Sequence, residues 1–540
     1  MYGQMKRRGF KPTTGTFATL MAGYVGIEDW RMYTMQLENV HTIMRSFAEH
    51  AKVSKQDPAL AFELDVKPIN MYITILGDAR EYQKMFDVFN EMDKSGWLAP
   101  TSRTYSNLFS ALAERIHVPG SSREALGAQS ASDAKLFWRQ ALNAAAGGKL
   151  HIDDRMVGGL IRCLGRGRPS DVLFGLDVVH EYCGLSRPGE TPLPPKVAVE
   201  PPVISSIFDM CLHGKKHRLI VHFAQQLMDT AQAANLPCPM DVGNVESVLR
   251  AYACLAALGS MGEADQALEL LRWMQQQAIL YPERAQAIRP RREAYYLVLM
   301  SCWRGADWAS AVRTMEMLTG CDGSHFRDGY KGVPSVVRRS RGAATEPDVK
   351  VLATLLRCAQ ESKDIAHMRQ CLRISDFFHV EMLLKETYEL LAEQPTVLSE
   401  QSSQEPEDGR ASMKVGKRIQ DRQHQRFYGS KLASALAEVV SEVLPFTIRP
   451  RPANASDSTS AASTINTSRS KRDYAPTEQE RTRWLELKSK AMVINRIVKN
   501  MRSTLPVPMA EEQPLGTLRS LTSIDKSVED VWTKRQQNSA

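Results

Sequence analysis

Four prolines in this chain are each followed, five residues later, by the same apolar set. After Pro12 come Phe17, Leu20, Met21 and Tyr24, and after Pro100 come Tyr105, Leu108, Phe109 and Leu112. After Pro290 come Tyr295, Val298, Leu299 and Cys302, and after Pro347 come Leu352, Leu355, Leu356 and Ala359. The i, i+3, i+4, i+7 spacing marks one face of an α-helix. A proline just upstream prevents an earlier helix from running into it. A copy after Pro68 (Tyr72, Ile75, Leu76, Ala79) is one residue shorter, and Val245, Val248, Leu249 and Tyr252 form a further copy without the proline. A second amphipathic stretch follows each first one: Tyr82, Phe86 and Phe89; Ala264, Ala267, Leu268 and Leu271; Trp308, Ala311, Val312 and Met315. The alanines among them let two helices approach closely. A lone helix pair buries too little apolar surface to be stable, so such units must stack. The expected fold class is all-α: an α-solenoid of stacked helix-turn-helix repeats, ending in a partly disordered basic C-terminal tail.

Two unit ends carry a fuller signature. Met5-Lys6-Arg7-Arg8-Gly9-Phe10-Lys11-Pro12 leads into Thr16-Phe17, and Met92-Asp93-Lys94-Ser95-Gly96-Trp97 leads through Pro100 into Thr104-Tyr105. This resembles the pentatricopeptide repeat family, whose units of about 35 residues end in M-x-x-x-G-x-x-P and restart with T-Y. The tryptophan and L-G positions of tetratricopeptide repeats are not recognisable. The resemblance covers residues 1 to about 390, as roughly eight helix pairs plus a half, and its irregular spacing is similar to that of fungal or animal mitochondrial members. Pro68 to Pro100 is 32 residues, whereas Pro12 to Pro68 is 56 and Pro290 to Pro347 is 57. Inserts account for the excess: 118–131 is rich in Gly and Ser, 184–202 holds six prolines, and 320–346 is Gly-rich and basic. All three read as loops. Met1 falls inside what would be a second helix. The chain is therefore expected to be N-terminally incomplete, with Lys6, Arg7, Arg8 and Lys11 belonging to the repeat rather than to a targeting presequence.

In the family that this resembles, first helices line a groove in which RNA lies, one base per repeat being read by two or three side chains. The resemblance puts one reading position just after the first-helix aromatic: Ala18, Ser106, Tyr296 and Ala353, with Ile73 or Thr74 in the shortened unit. A second position, the last residue of each unit, falls on Thr13, Thr101, Arg291 and Asp348. Base-edge recognition needs polar groups, which Ser106 and Thr74 supply. Tyr296 suits stacking, whereas Ala18 and Ala353 neither donate nor accept. The alternative is that these are packing or solvent positions.

Charge divides the chain. Residues 401–540 carry 23 Lys+Arg against 16 Asp+Glu, whereas the first 400 carry 46 against 45. The sequence reads as five segments: the repeat array 1–390, a basic helical extension 391–449, a disordered linker 450–475, a basic amphipathic helix 476–505 and a mostly disordered tail 506–540. In the extension, Lys414, Lys417, Arg418, Arg422 and Arg426 with Phe427 and Tyr428 combine cations for phosphates with rings for bases. A solvated basic helix is the alternative. The 476–505 helix opens at Pro476 and Thr477, with Glu480 placed for a capping box, and suits docking onto RNA or a protein partner or packing back on the array.

No chemistry of a known enzyme class emerges. His213 and His217 lack the glutamate of a metalloprotease site and stand among Lys215, Lys216 and Arg218. Gly147-Gly148-Lys149 lacks the rest of a phosphate loop. Neither the zinc-deaminase pattern nor a tail cluster of aspartates for magnesium is present. Nine cysteines between Cys163 and Cys371, with no C-x-x-C pair, suit reduced thiols. No apolar run reaches about 18 residues, so no membrane span is expected. The expectation is a non-catalytic protein without cofactor or metal that binds single-stranded RNA, a mitochondrial transcript or ribosomal RNA, in mitochondrial RNA processing, stability or translation. The alternative is an α-solenoid protein-interaction scaffold, for example one associated with the mitochondrial ribosome, holding a peptide or helix on its concave surface. The C-terminal basic helix is a further candidate for docking the ribosome or another protein. Mitochondrial location follows from the resemblance alone.

Overall fold

A computed structural model describes residues 7–9, 12–27, 29–57, 61–118, 122–336, 345–392, 409–444 and 476–504; side chains are described from 421 in the segment 409–444 and to 501 in the last. The chain is all-helical, and the extended pairing among the described residues is an isolated bridge between Cys321 and Val336. Two compact units divide it, Met1–Ala251 and Tyr252–Ala540.

In the first unit, helices α1 (Thr14–Ala22), α2 (Thr34–Ser54), α3 (Lys67–Asp78), α4 (Tyr82–Glu91), α5 (Ser102–Glu114), α6 (Arg123–Ala146), α7 (Asp154–Leu164), α8 (Pro169–Val178), α9 (Pro201–His213) and α10 (His217–Ala233) form successive pairs. Helix α11 (Val242–Ala257) follows. The first members pack side by side in chain order, α1 on α3, α3 on α5, α5 on α7 and α7 on α9, and each second member lies against its own first helix. Side-chain bonds stitch neighbouring first helices: Thr104 Oγ1 donates to Asn70 Oδ1 at 2.7 Å, and Cys163 Sγ donates to the Phe109 carbonyl at 3.1 Å. Glycine allows close approach at the crossings; a Cβ at Gly77 would sit 2.6 Å from Ala111 Cβ.

The threonines of the unit ends explain where helices start. Thr13 and Thr101 are N-caps closed by Thr16 and Thr104 in reciprocal capping boxes. Helix α7 starts without the proline signature, because Asp153 accepts from the Met156 amide at 2.8 Å. Its pair partner α6 begins at Arg123, inside the Gly- and Ser-rich stretch 118–131 that reads as loop. Ser122 caps it, and Gly127 serves close packing instead of a turn: a Cβ added there would lie 2.1 Å from the Arg166 carbonyl oxygen.

The turn from first to second helix recurs in one form. Arg80, Lys215 and Ala306 each adopt a left-handed conformation (φ 65°, 55° and 52°). The next amide bonds back across the helix end: Glu81 to Leu76, Lys216 to Cys211 and Asp307 to Cys302, at 2.8, 2.7 and 2.9 Å. This is the Schellman closure, usually made by glycine. Because a left-handed residue with a Cβ costs about 1–2 kcal/mol, Ala306→Gly is expected to stabilise the second unit by roughly 0.5–1 kcal/mol, the gain remaining after glycine's larger unfolded-state entropy. Urea unfolding followed by circular dichroism checks this as an increase in midpoint at constant slope.

In the second unit, α12 (Glu263–Leu280), α13 (Arg292–Arg304), α14 (Trp308–Thr319), α15 (Val349–Glu361), α16 (Ile365–Phe377) and α17 (Val380–Ala392) precede α18 (Gly409–Val443) and α19 (Glu478–Thr504). Helices α13, α15 and α18 lie side by side, with α14 against α13 and α15, α16 against α15 and α18, and α19 against α18 and α17. The described parts of the C-terminal segments, 409–444 and 476–504, thus pack on the helical body, which for the second is the alternative of packing back on the array. Tyr428 of α18 lies near Lys350 at the start of α15, and Glu438 and Glu442 bind Arg357 and Gln360 near its end, at 2.7 and 2.8 Å. Helix α18 therefore runs parallel to α15, in the position of one more first helix. Leu432, Leu436, Val439, Val440 and Val443 are buried in α18, and Trp484, Leu487, Ala491 and Ile494 are buried in α19, which packs on it. The linker 450–475 and the tail 506–540 lie outside the described residues.

Charges hold the start of α19. Arg373 donates to Asp328 and Glu480 at 2.8 and 2.7 Å, Arg369 binds Asp328, and Arg483 reaches Asp376 and Glu381 at 3.0 and 2.7 Å. Lys490 also pairs with Glu381. Burial opposes the charged forms of Asp328 and Glu480, but hydrogen bonds from these arginines outweigh it and lower both pKa values. Carboxylates depressed in the folded state contribute stability that is complete above their unfolded pKa values of 3.8 and 4.5, and that is lost as pH falls through the lower folded values. Amide exchange of α19, corrected for intrinsic rates, is therefore expected to be slow at pH 6 and to accelerate steeply below about pH 4.

Candidate nucleic-acid interface

The sequence-predicted reading positions fall on the first helices, and the structure separates them by environment. Ser106 and Thr74 are half-buried, and each hydroxyl proton goes to its own helix, to the Ser102 carbonyl at 2.9 Å and the Asn70 carbonyl at 3.1 Å. Their oxygens remain as acceptors. Ala18 is half-buried, whereas Ala353 is only 5% exposed and touches core. The last-residue positions are helix caps. Thr13 and Thr101 close capping boxes, Asp348 accepts from the Val351 amide at 2.9 Å, and Arg291 caps α13.

Counting from the cap exposes a pattern that the apolar spacing hides. The thirteenth residue after Asp153 is Arg166, just past the end of α7, and the thirteenth after Arg291 is Arg304, the last residue of α13. After Thr101 and Asp348 the same position holds Glu114 and Glu361, so the two arginines mark two units only. Both are half-buried, and burial lowers both pKa values by penalising the charged guanidinium. Arg166 has Arg162 and Arg123 as repulsive neighbours, with Glu114 and Asp209 as attractive ones, and no carboxylate within ion-pairing distance among the described residues. Arg155 and Arg162 stand exposed on the same face of α7, eleven and four residues before Arg166. Arg304 Nε is buried with no hydrogen-bond partner, and its guanidinium lies 4.4 Å from the centre of the Trp303 ring. Tyr296, Met300, Trp303 and Arg304, all half-buried, follow one face of α13 at i, i+4, i+7 and i+8. A half-buried guanidinium without a counterion is unfavourable on its own and is stabilised by an arriving anion.

The structure brings Tyr296 and Tyr428 together. Their rings meet edge to face at 6.3 Å, and Lys350 Nζ lies 3.8 Å from the Tyr296 ring and 5.2 Å from the Tyr428 ring. Glu293 fixes Lys350 through both carboxylate oxygens, at 3.0 and 2.8 Å. His424 stacks on Tyr428 at 4.8 Å. Tyr428 thus anchors α18 to α13 and α15, while Phe427 next to it is 51% exposed with Lys431 over its ring. Arg422 is exposed, and Arg426 Nε donates to the Leu390 carbonyl at 2.8 Å, tying α18 to the end of α17. The side chains of Lys414, Lys417 and Arg418 lie outside the described residues.

Sequence reasoning missed Arg162, Arg166, Trp303 and Arg304. Helix α7 has no proline signature and no aromatic, so its unit went unrecognised, although Arg155, Arg162 and Arg166 beside Met156, Leu160 and Cys163 already spell two faces of one helix.

The histidine and thiols that the sequence singles out sit in structural settings. His213 Nδ1 lies 2.7 Å from its own helix's Asp209 carbonyl. Burial pushes the thiols of Cys163, Cys183 and Cys211 up to about 12, well away from nucleophilic thiolates. Among the described residues, no group of three His, Cys, Asp or Glu side chains is arranged to hold a metal ion, and no helix is long and apolar enough to cross a membrane. No protein-family model matches the chain, and no curated protein is detectably similar to it.

Proposed function

We propose that the chain is a non-catalytic RNA-binding α-solenoid of the pentatricopeptide repeat type, acting in mitochondrial RNA processing, stability or translation. The observation that carries this reading is the pair Arg166 and Arg304: half-buried guanidiniums without ion-pair partners, one just past the end of first helix α7 and the other the last residue of first helix α13. Single-stranded RNA supplies what such groups lack, phosphates for the arginines and bases for Trp303 and Tyr296. Binding of this kind acts passively, by covering a stretch of RNA against nucleases or competing structure. The organelle and the process are what the resemblance of the unit ends around Pro12 and Pro100 to the pentatricopeptide repeat family implies.

One observation favours a second reading, a protein-interaction scaffold associated with the mitochondrial ribosome. Ala353 is buried, the Tyr296 ring has Tyr428 against its edge, and the last-residue positions cap helices, so few side chains are left to discriminate bases. Crosslinking in cells followed by sequencing of the bound RNA separates the two. A few defined mitochondrial transcripts are the expected result, ribosomal RNA at one location would favour the scaffold, and no RNA above background would eliminate RNA binding.

A further inference from the structure

Residues 325–336 and 345–346, the end of α16 and the first turns of α19 line a cleft of about 1090 Å³, just above the range of roughly 300–1,000 Å³ common for small-molecule sites. On one wall His325 and Tyr330 stack at 4.7 Å with their planes 28° apart, and Tyr330 is 41% exposed. Phe377 and Phe378 supply further rings to the lining. His325 Nδ1 is buried yet has no hydrogen-bond partner. Arg327, also lining the cleft, is exposed. Arg373 and Arg483, in contrast, are committed to Asp328, Glu480, Asp376 and Glu381 and brace the far wall.

We propose that this cleft binds one nucleotide. The base stacks on the exposed Tyr330 ring, which His325 backs from behind, and Arg327 reaches the phosphate. An aliphatic peptide side chain would fill the space but make no stacking contact, whereas a flat heteroaromatic ring matches the open face of the backed Tyr330 ring and carries a phosphate for Arg327. The nucleotide is either a residue of a bound RNA or a free nucleoside phosphate. The site stands on its own lining and does not depend on Arg166 or Arg304.

Equilibrium dialysis of the full chain against labelled AMP and UMP tests the site. The expected result is saturable uptake of one nucleotide per chain, weakened about tenfold or more in Tyr330→Ala and in His325→Ala, and kept in Tyr330→Phe. Tyr330 is on the surface, and unchanged melting of each variant rules out unfolding as the cause. Displacement of the nucleotide by single-stranded RNA identifies the occupant as an RNA residue; saturable binding that RNA does not displace identifies it as a free nucleotide. No saturable uptake, or uptake unchanged in both alanine variants, overturns the proposal. Nucleotide uptake that survives while the chain binds no RNA would reject the RNA reading and leave this site intact.

Discussion

Replacing Arg166 and Arg304 together by glutamine is expected to lower the affinity for single-stranded RNA by about a hundredfold at low salt, roughly tenfold for each charge-assisted hydrogen bond to phosphate. Because two fewer phosphates of a single strand are then neutralised, the slope of log affinity against log salt also falls by about 1.4. The two sites sit in different units, so their effects on free energy should add. Glutamine keeps hydrogen-bonding capacity and much of the side-chain length while removing charge. Burial disfavours the charged form at both positions, so removing the charge also removes a desolvation cost, and melting of the variant alongside the native chain separates binding from folding. Filter binding at several salt concentrations checks both numbers. Equal losses after replacing exposed Arg155 alone would show a diffuse basic surface instead of a built site.

The second large effect concerns the C-terminal helix. Trp484 is 2% exposed and lies with Leu487, Ala491 and Ile494 against the body of the second unit. Trp484→Ala is expected to cost about 3–5 kcal/mol, the usual cost of removing a large buried aromatic. The loss should be local. In an array where each pair contacts only its neighbours, stability is close to a sum of unit and interface terms. Amide exchange should therefore accelerate in α18 and α19 and remain unchanged in α3, α5 and α7. Uniform acceleration through both units would mean that the chain unfolds as one cooperative body.

How much of this was legible in the residues depends on where the determinants lie. Helices α5 and α15 were, because a proline, a cap and an apolar set stand together in sequence. Helix α7 was not, since its start rests on Asp153 and its packing on Gly158 and Gly159, residues that are equally at home in loops. The recurring turn was hidden because Arg80, Lys215 and Ala306 occupy a left-handed position that usually announces itself as glycine. The place of α18 was hidden by its own composition: a charged first half precedes the apolar set Leu432 to Val443. Of the candidate site, Tyr296 and Tyr428 were identified as rings, but their contact spans more than 130 residues and has no local signal. Arg166 and Arg304 emerge only from counting along helices whose starts are known.

Crosslinking the purified chain to single-stranded RNA with ultraviolet light, then identifying the modified peptides by mass spectrometry, probes the first-helix faces directly. Adducts are expected on peptides carrying Ser106, Arg162–Arg166 and Tyr296–Arg304. Adducts confined to the second helices α2, α4, α6 and α10 would contradict the account.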